Sequence, residues 1–488
     1  MPLPGLLTRP FDGLKLGIRS SDVTLRRIAS LDPGFIPAAL WNRAYGRLAG
    51  DHPASRLLGI AIGQTDGTCS VFKTRVLPQV DENIELNRRY VERIVKFLLW
   101  QRGGYRITVG GEPGIAEMLR QIYCPEGDRR FDCEFLGQRL SGRAMVIEEC
   151  AFDELPESRE RSRRLGGNLD GCRIGFDLGG SFRKAVALRD GQVVFSESIA
   201  WDPYFQKDPQ FHFSSIDDSI RRAAASLPRV DAIGGSTAGA VANNEVRASS
   251  LFRGISEVDF EKRIRRIFLD LRKTWNDVPF EVANDGEVAA LSGANSLRIH
   301  SVLGISMGTS LAAGYVDADG RFTSWLNELA FAPVDYQDDG ARDEWSGDLG
   351  LGVQHFSQQA LGRLVPRSGI SLEREMPFAE QLKTVQALME NGDSRARGIY
   401  ETIGVWLGYS VAHYAEFYPL CNVLCLGGMM MGEGGDVIIQ EAAAVLKNEF
   451  PDLARRVQLW TCSGQDRSHG QAIAAATLPE LCGGRRAS

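Results

Sequence analysis

Four apolar runs in this chain end in a polar or glycine-rich turn: Asp177-Leu-Gly-Gly-Ser, Asn284-Asp285-Gly286, Gly308-Thr309-Ser310 and Gly427-Gly428. This recurrence is the strongest constraint on the fold. Strands that finish in glycines or small polar residues leave backbone N–H groups free at their carboxyl ends, and α/β sheets collect ligands there. Four such ends between residues 177 and 428 predict one cleft lined from both sides.

The first of them is the most informative. Ile174 and Phe176 alternate with small or polar residues, as a half-buried strand requires. Gly179 and Gly180 allow a sharp turn and close approach of a ligand, and Ser181 adds a hydroxyl. A second apolar run, Ala185-Val-Ala-Leu, leads to an Asp190-Gly191 hairpin turn. Asp177 beside this cradle suits a metal–nucleotide phosphate. Taken alone, the same residues also describe an ordinary hairpin.

At 488 residues the chain is too long for one core, and two to four domains are expected. A net charge of −6 gives no positive field to gather nucleic acid. No apolar run nears the ~20 residues that cross a bilayer, and the N-terminus lacks a signal-peptide core. Nine scattered cysteines form no Cys-x-x-Cys pair, which speaks against a zinc or iron–sulfur site and for reduced thiols in a cytoplasmic protein.

The charged stretch Asp153–Gly167 reads as a solvated linker or a short exposed helix, and as the domain boundary. Before it, a hairpin turning at Asp66-Gly67, a helix with Tyr90, Ile94, Val95 and Leu98 on one face, a strand from Tyr105 and a helix over 112–123 make an α/β unit. After it, Phe260, Ile264, Ile267, Phe268, Leu271 and Trp275 predict one long amphipathic helix, and Phe280 to Asn284 a strand.

The ordered motifs over roughly residues 172–478 resemble the sugar-kinase branch of the hexokinase–actin superfamily, most closely the ROK family. Asp177-Leu-Gly-Gly-Ser is similar to that family's first phosphate motif. Gly234-Gly-Ser-Thr-Ala-Gly, Asn284-Asp285-Gly286, Gly308-Thr309, Leu426-Gly-Gly and Gly470-Gln-Ala-Ile-Ala-Ala-Ala follow in the family's order. The resemblance implies two actin-like α/β lobes around a nucleotide cleft plus an extra N-terminal α/β domain. The expected divisions are 1–165 for that domain, 166–283 with a helix at about 465–480 for lobe I, and 284–464 for lobe II. It implies ATP and Mg²⁺ as cofactors, with Asp177 holding the metal through water. Gly179, Gly180, Ser181, Gly308 and Thr309 would cradle phosphates, and Gly427 and Gly428 would meet adenosine. Asp285 would be the general base, with Asn284, Glu328 and Ser250 binding a sugar or polyol. Read alone, Asn-Asp-Gly is also good turn chemistry.

Three departures stand out. The family's cysteine-rich zinc segment corresponds to Glu344 to His355, where every cysteine is absent, so no zinc is expected there. The sugar-binding Gly-Glu-x-Gly-His segment reads Asn327-Glu328-Leu329-Ala330-Phe331, with Phe331 in the histidine position, and Ser250-Leu251 replaces a Pro-Asn-Leu segment. Residues 1–165 are neither basic nor helix-turn-helix-like, which argues against a repressor. The expected activity is ATP-dependent phosphorylation of a sugar or sugar-like polyol. The alternative is a non-catalytic sugar- or nucleotide-sensing protein that keeps the fold; an ATPase switch without a small-molecule acceptor is a third reading. No nucleic-acid or membrane partner is expected, and a homodimer is.

Overall fold

The computed structural model describes residues 23–373, 375–461 and 469–481. Strands β1 (Arg56–Gly63), β2 (Cys69–Val76), β3 (Arg106–Gly110) and β4 (Val146–Cys150) form one sheet in the order β2-β1-β3-β4. Its hairpin turns at Asp66-Gly67, where Gly67 takes a positive φ, as the sequence predicts.

The 153–167 stretch is exposed but is not helical beyond a short turn at Phe152–Glu154. Its strand β5 (Ser162–Arg163) pairs with the edge of a distant sheet. Its charges find partners on the body of the protein: Arg163 binds Glu281, and Glu160 receives Arg102 and the Trp325 indole.

Strands β6 (Cys172–Leu178), β7 (Phe182–Arg189), β8 (Gln192–Ala200) and β9 (Ala232–Thr237) come next. A small hairpin of β10 (Ala240–Ala242) and β11 (Glu245–Ala248) follows, and then β12 (Phe280–Asn284). The sheet order is β12-β9-β6-β7-β8, with β6, β7 and β8 antiparallel and β6, β9 and β12 parallel. The second lobe repeats this plan. Strands β13 (Val302–Met307), β14 (Leu311–Val316) and β15 (Phe322–Thr323) run antiparallel, and β16 (Asn422–Leu426) and β17 (Gln458–Thr461) continue parallel from β13. Two copies of one mixed-sheet topology make the two actin-like lobes that the sequence leads one to expect.

The helix expected over 260–275 is interrupted. A π-helical turn (Phe260–Ile264) precedes the helix Ile267–Thr274, because the Arg265 N–H reaches back to the Phe260 carbonyl. The Arg265 carbonyl also accepts from the Val246 N–H of β11. Tertiary pairing claims a group that a continuous helix would use.

The helix Ile84–Arg102 is buried on all sides, not on the single face its periodicity predicts. One hydrophobic core runs without a break from residue 29 through this helix into the second lobe, whereas the first lobe has a separate core around Ile174, Phe176 and Phe268. Burial on both faces forces its charges to pair. Lys96 Nζ lies 2.8 Å from Asp132 and 3.1 Å from Asp348, and Arg93 lies 3.2 Å from Asp348. Asp348 belongs to the segment where the resembling family carries its cysteines, so an ion-pair network ties the N-terminal unit to that segment. Among the described residues, no helix is long and apolar enough to cross a membrane.

Candidate active site

The parallel register of β6, β9 and β12 brings their carboxyl ends together. Asp177 pairs in register with Ser236, and Asn284 with Thr237. Asp177 is buried; its Oδ1 accepts from the Ser236 hydroxyl at 2.8 Å and its Oδ2 faces Lys184 Nζ at 3.9 Å. Burial raises its pKa, while Lys184 and Ser236 oppose the shift.

Asn284 ends β12 and caps the helix Asp285–Leu297. Its Oδ1 accepts from the Gly286 N–H at 2.8 Å, and its Nδ2 donates to the Gly239 carbonyl at 2.9 Å. The side chain expected to meet substrate hydroxyls therefore also builds the turn. Asp285 stands in the first helical turn, half-buried, with Gly286 behind it. A Cβ on Gly286 would collide with the Ala313 backbone of β14, so the glycine lets β14 press against the helix that carries the candidate base.

The acids here influence one another. Burial, reinforced by Asp177, pushes Asp285 up to about 7. Burial, reinforced by Asp285, pushes Glu328 up to about 8. A helix N-terminus favours the carboxylate, so removal from water is the larger effect at Asp285.

Glu328 is positioned by the N-terminal unit. The amides of Leu326, Asn327 and Glu328 donate to the Arg102, Gln101 and Trp100 carbonyls, which the helix Ile84–Arg102 leaves unpaired at its end. Phe331 is buried against Trp100, with ring centres 4.4 Å apart, and against Phe131 at 5.4 Å. The aromatic residue that replaces the family's histidine is thus a docking point for the N-terminal unit.

On the other wall, Gly308 and Thr309 turn between β13 and β14, the counterpart of Gly179 to Ser181 between β6 and β7. The Gly308 carbonyl accepts from the Gln358 N–H at 2.9 Å. Gly427 follows β16 with φ +98°, and the Gly428 carbonyl accepts from Gln386 at 3.0 Å. Ser250 opens a short 3₁₀ turn after β11 in the first lobe.

Sequence reasoning missed three groups. Lys184 lies opposite Asp177. The Tyr204 hydroxyl occupies the space where a Cβ of Gly180 would stand; burial raises the pKa of this phenol, Arg253 opposes the shift and Asp285 adds to it. Arg253 stacks 4.3 Å above the Tyr204 ring. Lys184 was within reach from the β6–β7 hairpin pattern, since it pairs in register with Asp177. Nothing local in the sequence links Tyr204 to a loop more than twenty residues earlier.

Comparison with known proteins agrees with this architecture. A ROK-family transcriptional regulator, a homologue of the E. coli MLC protein, superposes with a TM-score of 0.51 at 17% identity, covering 64% of this chain and 78% of its own. This chain has the fold of the ROK proteins. A ROK hexokinase from Thermus thermophilus (17% identity, 63% of this chain and 97% of that one) and a ROK glucokinase from Streptomyces griseus in complex with glucose and AMPPNP (18%, 63% and 98%) each give a TM-score of 0.48. No family model and no curated protein matches the sequence.

Proposed function

We propose that this protein phosphorylates a hydroxyl of a sugar or sugar-like polyol with ATP. The observation that carries the reading is Asp285. It is a carboxyl that burial, reinforced by Asp177, pushes up to about 7, on a helix N-terminus between the lobes, and it in turn raises Glu328. A general base works best with a pKa near the operating pH. Asp285 accepts the acceptor hydroxyl's proton as that oxygen attacks, and Glu328 orients a neighbouring hydroxyl. Backbone amides of Gly179, Gly180, Ser181, Gly308 and Thr309 hold the phosphates, and Gly427 and Gly428 border the adenosine. Ser250 contributes to the sugar side. The reading treats residues 166–283 and 284–464 as the two lobes and residues 1–165 as the accessory unit of a cytoplasmic enzyme.

The residues at Asp177 suit Mg²⁺: its carboxylate and the Ser236 hydroxyl bonded to it are hard oxygen donors. Magnesium would neutralise phosphate charge when bound. Lys184 supplies a fixed positive charge on the same side.

A second reading, a sugar- or nucleotide-sensing protein without turnover, is favoured by two observations. Phe331 removes an imidazole from the sugar side, and Tyr204 occupies the approach to Gly180. A panel of sugars and polyols assayed for ATP consumption separates the readings. Acceptor-dependent turnover that falls by ~10²–10⁴-fold in Asp285→Asn supports the kinase. Sugar binding without turnover supports the sensor, and acceptor-independent hydrolysis supports an ATPase.

A further inference from the structure

Asp32, Asp335 and His355 meet at the second lobe, and each is more than nine-tenths buried. One ligating atom from each lies within 4.8 Å of the others. Asp32 comes from the loop before the first described helix. Asp335 sits just beyond Phe331, and His355 lies in the turn before the helix Gln358–Arg367.

His355 Nδ1 is 2.8 Å from the Leu351 carbonyl, so it must donate there. In the neutral ring, Nε2 then carries its lone pair towards Asp335 Oδ2, 3.5 Å away. Neither atom has a hydrogen-bond partner. With the ring neutral, that lone pair faces a buried carboxylate, an arrangement that either a proton on Nε2 or a bound cation relieves. The gap is too wide for the ~2.7–2.9 Å of a charge-assisted hydrogen bond. It suits two ligands of one tetrahedral ion, whose ~2.0–2.2 Å bonds place neighbouring donors roughly 3.3–3.6 Å apart.

The surroundings fit as well. Asp335 Oδ1 is held by the Ile36 and Gln337 amides, each at 3.0 Å, which leaves Oδ2 directed at the gap. The Trp406 ring lies edge-on to His355, with centres 4.8 Å apart, and Phe35 adds a second apolar wall. Two cations face the trio from outside. Arg367 holds Asp32 Oδ1 at 2.6 Å, and Arg363 approaches Oδ2 at 3.5 Å. Both serve Asp32; Arg363 also interacts electrostatically with Asp335, whose Oδ2 has no hydrogen-bond partner.

We infer that Asp32, Asp335 and His355 bind a divalent transition-metal ion of the zinc class, with solvent as the fourth ligand. His355 closes the segment that corresponds to the resembling family's zinc cysteines, whereas Asp32 and Asp335 lie outside it. The inference does not depend on the proposed activity. The ion pins the loop around Asp32 to the second lobe.

The test uses the full chain, free of affinity tag, stripped with chelator and dialysed. It is loaded with Zn²⁺ and, separately, with Co²⁺. The expected result is one ion per chain retained through gel filtration, a rise in Tm on loading, and a cobalt d–d spectrum without a thiolate charge-transfer band. Asp335→Asn and His355→Gln should each weaken binding by ~100-fold or more. Failure of the wild type to retain either ion overturns the proposal, as does a thiolate band, which would move the ion to cysteine. If a variant does not fold, the wild-type stoichiometry and cobalt spectrum still decide. Unchanged binding in folded forms of both variants also overturns it.

Discussion

Asp285 links stability to pH in a defined direction. Its folded pKa, about 7, lies above the ordinary 3.8, so the folded state holds a proton that the unfolded state releases. Its contribution to stability is complete below pH ~4 and is lost as pH rises through about 7. Asp285→Asn should therefore stabilise the protein at pH 8 and have little effect at pH 4. The gain should be about 2 kcal/mol, smaller than the full shift implies because the carboxyl is partly exposed. Paired thermal melts at the two pH values measure it, and an equal effect at both would refute the assignment. Turnover, where acceptor-dependent, should climb through the same pH range as the base ionises. Phe331 belongs to stability in a different way. Phe331→Ala empties a pocket among Trp100, Phe131 and Trp345 and should cost about 3–5 kcal/mol in urea unfolding. Phe331→His should not restore the family's sugar contact for free, because an imidazole there meets aromatic faces.

At the scale of elements, two close approaches hold the cleft together. The helix Gly470–Ala476 lies against β6 and β9 so tightly that a Cβ on Gly175 or Gly234 would collide with the Ala472 or Ala475 carbonyl. Gly175→Ala should push this helix off the sheet, lower stability by about 1–3 kcal/mol and open the chain near residue 470 to proteolysis. Unchanged protease resistance would count against that packing. The helix Ile84–Arg102 matters through its end as well as its sides. Its last carbonyls receive the amides of residues 326–328, and its charged side chains fasten Asp348. Lys96→Met leaves Asp132 and Asp348 short of a buried cation, and a loss of about 3–5 kcal/mol is expected in urea unfolding.

For the whole molecule, the cores predict the order of unfolding. Residues 29–140 and the second lobe share one core, and the first lobe has its own. Amide exchange should therefore show protection around Val95 and Val405 lost in one step, with that around Ile174 lost in another. Removal of residues 1–165 should leave the second lobe insoluble, because it strips Trp100 from Phe331 and takes the Glu160 acceptor from the Trp325 indole. A soluble, cooperatively melting truncation would contradict the shared core.

The sequence by itself determined the strands that end in polar turns, the hairpins at Asp66-Gly67 and Asp190-Gly191, and the motif order that leads to two repeated lobes. These features are local, written in alternation and turn chemistry, and they survive whatever packs around them. Tertiary structure alone decided the rest. The helix with Tyr90 and Ile94 became buried on every side because a second surface covers the face that periodicity left polar. The predicted 260–275 helix broke because β11 claims the Arg265 carbonyl. Phe331 was legible as a lost sugar contact, but Trp100 and Phe131, which pack against it, lie 231 and 200 residues earlier in the chain. Tyr204 at Gly180 and the pKa of Asp285 depend on neighbours brought together by the fold, and no spacing along the chain encodes desolvation.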